Sequence, residues 1–112
     1  LSIVLLPTIA SAQATAVSKL VFDQQASSLA EANSYAYKYY PDGTLNGILI
    51  NPVTCTGAAS PFVCEVPFPA FTPGAHELRL TAGNIAGDSL PSTALAFTFV
   101  VIPSPPTNLR IQ

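Results

Sequence analysis

Apolar and polar residues alternate with a period of two through most of the chain after Ala14, and this pattern predicts short β-strands. In Ser18 to Asp23, Leu20 and Phe22 share one face, and Lys19, Val21 and Asp23 the other. Ser34 to Tyr40 sets Tyr35, Tyr37 and Tyr39 against Ala36, Lys38 and Tyr40. Pro41-Asp42-Gly43 follows as a reverse turn, because proline fixes φ and glycine accepts φ > 0. Leu45 to Ile50 is the expected return strand, and Phe62 to Val66 aligns Phe62, Cys64 and Val66. The clearest strand is Ala75 to Ala82, with His76, Leu78, Leu80 and Ala82 inward and Glu77, Arg79 and Thr81 outward. Leu95 to Val101 alternates Leu95, Phe97, Phe99 and Val101 against Ala96, Thr98 and Val100. A helical period shows only weakly, around Ser27 to Asn33. The expected fold is an all-β, antiparallel sandwich over 17–102, with no strand before Val17.

The first residues follow another rule. Leu1 to Ala14 reads LSIVLLPTIASAQA, an apolar run that passes through Pro7 into small residues. It is shorter than the roughly 18 apolar residues that span a membrane. Ala10-Ser11-Ala12 and Ala12-Gln13-Ala14 both fit the small-x-small rule of signal peptidase. Residues 1–12 are therefore expected to be a signal peptide that lacks its basic n-region, cleaved after Ala12 in preference to Ala14. The mature chain would be exported, outside the membrane, as a secreted, periplasmic or virion-associated protein.

Composition narrows the classes of function. The 112 residues carry 4 basic and 6 acidic side chains, a net charge of −2. That balance supplies no basic stripe to neutralise phosphates, so neither nucleic acid nor an anionic membrane surface is an expected partner. Cys55 and Cys64 enclose a short loop containing Gly57 and Pro61, and a structural disulfide between neighbouring strands is expected. Their spacing is not C-x-x-C, and with the distant His76 they cannot supply four zinc ligands.

Candidate chemistry is sparse. His76 is the only histidine, and its place on the inner face of a strand predicts a hydrogen-bonded structural role. Asp23, Asp42 and Asp88 sit at strand ends or turns, where Asp caps or bends the chain. Asp42 or Asp88 in a calcium loop is a weaker alternative, because no D-x-D-x-D run accompanies them. No catalytic or cofactor motif is present, so catalytic, cofactor and metal residues are all expected to be none. The four tyrosines fall between Tyr35 and Tyr40. Tyr37 and Tyr39 are read as core, and Tyr40, beside Lys38 on the other face, as the candidate contact residue.

Thr72 to Ser89, TPGAHELRLTAGNIAGDS, resembles the F strand and F–G loop of fibronectin type III and bacterial immunoglobulin-like domains. Pro91-Ser92 is similar to the step before their G strand, YKYYPDG to their C strand and turn, and Leu20 to Asp23 to their B strand. Phe22 would stand where many members carry tryptophan, and the F-strand register holds His76 where fibronectin domains place a tyrosine. Residues 103–112 (PSPPTNLRIQ) resemble a linker leading into the A strand of a next domain, or else form a proline-rich terminus. The resemblance implies a non-catalytic extracellular module: a spacer, adhesion or binding domain of a secreted or phage-virion protein. The alternative is an accessory domain of a secreted polysaccharide-degrading enzyme whose catalytic domain lies outside this chain. Either way, a protein or polysaccharide would be met at loops, with the segment Asn84 to Leu90 expected to be mobile, and adjoining domains are expected.

Overall fold

The structure, a computed structural model, describes residues 12–112. The expected signal peptide, 1–12, lies outside them apart from Ala12. Among the described residues, nine strands and one short helix follow in the order β1 (Ala12–Ala14), β2 (Lys19–Gln24), α1 (Leu29–Ser34), β3 (Ala36–Pro41), β4 (Ile48–Leu49), β5 (Thr54–Thr56), β6 (Phe62–Pro67), β7 (Gly74–Asn84), β8 (Gly87–Asp88) and β9 (Leu95–Phe99). They form two sheets. One has the order β1-β9-β7-β3-β4, with β8 also on β7, and the other has the order β2-β6-β5. Every pairing is antiparallel except that of β1 with β9. No helix among the described residues is long and apolar enough to cross a membrane.

The alternation places the core as expected. Leu20, Cys64 and Val66 from one sheet and Tyr37, Leu78, Phe97 and Phe99 from the other are buried in one cluster. Phe22 and Tyr37 meet across it with ring centroids 5.1 Å apart. Phe68 and Phe71, in the connection between β6 and β7, complete the cluster against Phe97 at 5.0 and 4.9 Å. Sequence alternation cannot find such residues, because the connection has no strand period.

The weak helical signal is a short helix with Ser28 as its N-cap. Ser28 Oγ accepts from Glu31 N–H at 3.1 Å, and the Glu31 carboxylate reaches back to Ser27 N–H and Oγ at 3.2 and 2.7 Å. The Tyr35 hydroxyl also donates to Glu31 and, with Ser27, holds this carboxyl below its ordinary range. Ala32 is fully buried, and its carbonyl accepts from the Tyr37 hydroxyl at 2.7 Å. Burial pushes that phenol up to about 12.

Four expectations need correction. A strand does precede Val17: β1 runs parallel to β9, with Ala12 facing Phe97 and Ala14 facing Phe99. Three residues are too few to show alternation, and a partner on β9 is what makes them a strand. The return strand shrinks from Leu45–Ile50 to β4, where Ile48 and Leu49 pair with β3; Ile50 still donates its N–H to the Tyr37 carbonyl at 3.0 Å, and Leu45 stands in solvent. A strand absent from the pattern, β5, pairs Cys55 with Cys64. Finally, Asn84 to Leu90 is not a loose loop. β7 and β8 form a hairpin around Ile85 and Ala86. Ser89 extends it by donating its N–H to the Ala82 carbonyl (2.8 Å) and accepting the Ala82 N–H on Oγ (3.0 Å). Ser92 repeats the arrangement on Leu80, at 2.9 and 3.0 Å. The serine hydroxyls act as strand carbonyls along this edge of β7.

Candidate functional site

The turn after β3 brings together the chain's single histidine and a carboxylate. Asp42 and Gly43 occupy the centre of the turn with φ of 50° and 74°, and Thr44 N–H donates to the Pro41 carbonyl at 3.0 Å. Positive φ at both central residues defines a type I′ hairpin turn, for which Asp-Gly is a preferred pair. The turn aims the Asp42 side chain back at β7. Its Oδ1 accepts from Glu77 N–H at 2.9 Å, and its Oδ2 meets His76 Nδ1 at 2.8 Å. The other imidazole nitrogen, Nε2, lies 2.7 Å from the Thr72 carbonyl oxygen and 3.1 Å from Thr72 Oγ1. The ring packs between Phe71 and Phe97, with centroids 5.0 and 6.0 Å away, and the side chain is 15% exposed.

Thr72, His76 and Asp42 thus follow the order hydroxyl, imidazole, carboxylate used by nucleophilic hydrolases. One contact departs from that arrangement. The Thr72 carbonyl can only accept, so Nε2 carries a proton and donates it there. A protonated Nε2 cannot take the hydroxyl proton of Thr72. Nδ1 also faces an acceptor-only group, so the two contacts together favour imidazolium. The Asp42 hydrogen bond, assisted by the Thr72 carbonyl, raises His76 above its ordinary value. Asp42 is lowered first by the Glu77 N–H and then by His76. The cluster is an ion-paired latch that ties the hairpin turn and the segment before β7 to one edge of the core. His76 is hydrogen-bonded, as its place on the strand led us to expect.

Tyr40 sits on the outer face of the same sheet but is not a free ring. It is half-buried, and a Cβ on Gly47 would come within 2.6 Å of its Cζ. Its hydroxyl lies 3.2 Å from Thr81 Oγ1. Thr81, expected to point into solvent, is 3% exposed. Continuing the β3–β4 register by one residue sets Tyr40 opposite Gly47, so the ring fills the space that glycine leaves. Alternation identified the face and could not show what would lie on it.

Cys55 and Cys64 form the expected disulfide, between directly opposed residues of β5 and β6. Asn33 at the end of α1 clamps the outer side of β5. Its Oδ1 accepts from Cys55 N–H at 2.8 Å, and its Nδ2 donates to the Cys55 carbonyl at 3.2 Å. A single amide side chain here replaces the neighbouring strand.

Two of the three aspartates expected at strand ends or turns, Asp42 and Asp88, have side-chain partners within the fold. Asp42 holds His76 and Glu77. Asp88 binds Lys38 Nζ at 3.0 Å, raises its affinity for the proton, and covers Gly83. Among the described residues no group of three or more His, Cys, Asp or Glu is placed to hold a metal ion. A shallow groove of about 340 Å³ runs beside the β7–β8 hairpin, lined by Gln24, Tyr35, Asn84, Asp88 and Ser89 among others. Its polar lining suits hydrogen-bonding ligands better than apolar ones. No family model, curated protein or solved structure matches this chain.

Proposed function

We propose that this chain is an immunoglobulin-like, fibronectin type III-related module of an exported protein, acting as a non-catalytic spacer, adhesion or binding domain. The observation that carries the reading is the strand order. Taking β2, β3, β4, β5, β6, β7 and β9 as strands B, C, C′, D, E, F and G gives sheets B-E-D and G-F-C-C′. Immunoglobulin domains divide the strands between their two sheets in the same way. β1 then takes the place of a first strand that has crossed to G. The sequence resemblance assigns the same letters to β2, β3 and β7.

Two further features support the reading. The Cys55–Cys64 bridge suits an oxidising compartment. Both ring nitrogens of His76 face acceptor groups, Asp42 Oδ2 and the Thr72 carbonyl, an arrangement that suits a structural histidine better than a general base. Contacts with a protein or polysaccharide would fall on the hairpins at the sheet ends, because core packing fixes the strands themselves.

Fractionation of the native source tests the reading. The protein is expected outside the cytoplasm with Cys55 and Cys64 joined in a non-reducing peptide map. A cytoplasmic location with two alkylatable thiols would overturn the export reading. Turnover of an ester, peptide or glycoside substrate that disappears in His76→Ala would overturn the non-catalytic one.

A further inference from the structure

The second sheet ends in a strand whose outer edge no described residue pairs. β2 is bonded to β6 on one side only. Phe68 N–H donates to the Ser18 carbonyl at 3.0 Å, and this bond sets the phase of the ladder. Ser18, Leu20, Phe22 and Gln24 turn their backbone groups toward β6, so Lys19, Val21 and Asp23 turn theirs outward. Pro67, opposite Lys19, has no N–H to offer, in keeping with that phase. A cleft of about 380 Å³ separates β1 from the first half of β2, with Lys19 and Val21 in its lining. The side chains of Lys19, Val21 and Asp23 are all exposed on the outer face, with Val21 at 56%.

We propose that this edge pairs with the same edge of a second copy of the chain, in an antiparallel, two-fold arrangement centred on Val21. The charges argue for a copy of itself. With Val21 facing its counterpart, Lys19 faces Asp23 of the second copy and Asp23 faces its Lys19. Both ion pairs form on one face at the cross-strand separation of about 5 Å. Lys19 already binds Glu65 at 3.0 Å, so it would lie between two carboxylates. The same register opposes outward-facing backbone groups, each pair exchanging both N–H···O bonds. A slip of two residues sets Asp23 against Val21 and removes both ion pairs. A slip of one opposes outward groups with inward ones. One register therefore satisfies charge and backbone together, and the symmetry closes at a dimer.

Sedimentation equilibrium of the purified chain between about 1 µM and 1 mM is expected to show a reversible monomer–dimer equilibrium. Asp23 has no ion pair among the described residues, so Asp23→Lys perturbs the monomer little. It should weaken dimerisation by about tenfold or more by setting two lysines together. Adding Lys19→Glu to that variant reverses both charges and should restore association to within a few fold of the original. Val21→Pro deletes an N–H that points to the open side and should abolish the dimer at a near-normal melting temperature. A chain that stays monomeric over the whole range overturns the proposal. A dimer unmoved by Asp23→Lys overturns it too. A monomer whose Val21 amide is protected from hydrogen exchange would mark residues 1–11 of the same chain as the occupant, which also overturns it.

Discussion

Tyr40 lies over Gly47. The tyrosine ring occupies the space where a β-carbon at position 47 would sit, 2.6 Å from Cζ, and its hydroxyl meets Thr81 on the neighbouring strand. One side chain thus links β3 to β7 on one side and to the approach to β4 on the other. Tyr40→Ala is expected to cost about 1–2 kcal/mol, between a surface substitution and a core truncation. Phe97→Ala should cost about 3–5 kcal/mol, since Phe97 is 3% exposed and touches several rings. Gly47→Ala should destabilise the chain with Tyr40 present and much less in Tyr40→Ala. Denaturant titration of the single and double variants measures that coupling.

The His76–Asp42 latch makes stability depend on pH at both ends. His76 is raised in the folded chain, so its contribution is complete below its ordinary value of 6.5 and is lost as pH rises through the folded value. Asp42 is lowered, so its contribution is complete above its ordinary value of 3.8 and is lost as pH falls through the folded value. Both act fully between those two ordinary values. Asn tolerates the left-handed turn position, so Asp42→Asn removes the charge and keeps the turn. NMR titration of the His76 ring is expected to give a midpoint above the ordinary value, falling toward it in Asp42→Asn. An unchanged midpoint would show that the ion pair does not hold the proton.

Asn33 should matter more than an exposed asparagine usually does. Asn33→Ala removes both bonds to the Cys55 backbone and is expected to cost about 1–2 kcal/mol. It should also speed hydrogen exchange at the Cys55 amide. Asn33→Asp keeps the acceptor and loses the donor, so its Cys55 amide should stay protected.

Reducing the Cys55–Cys64 bridge, with the thiols then alkylated or replaced by alanine, should cost about 2–3 kcal/mol by loop-closure entropy. The thermal midpoint before and after reduction checks it. A shift confined to the alkylated form would trace to the bulk of the added groups.

The leader cleavage expected from the sequence would have a structural consequence. Ala14 is 3% exposed, and its carbonyl accepts from Val100 N–H at 2.8 Å. A cut after Ala14 would remove β1 from its place on β9, whereas a cut after Ala12 leaves Gln13 and Ala14 paired. N-terminal sequencing of the exported protein is expected to begin Gln13-Ala14-Thr15. A start at Thr15 would count against a structural role for β1 in the mature chain.

Period-two alternation by itself determined the all-β class, the principal strands β2, β3, β6, β7 and β9, and their buried faces, because a strand's two sides meet different solvents whatever its partners are. The Asp-Gly turn was legible for the same local reason: its φ values suit few other residues. The cysteine spacing pointed to a bridge across adjacent strands. Tertiary structure alone decided the rest. β1 and β5 are too short to carry a pattern and exist because β9 and β6 offer them partners. Phe68 and Phe71 enter the core from a connection with no period. Tyr40 and Thr81 have outward positions in the alternation, yet each is covered by the other once Gly47 leaves room for the ring. Asp42, Thr72 and His76 meet through a turn and a strand register. Sequence separation carries no information about a contact that exists only when two edges of a sheet are brought together.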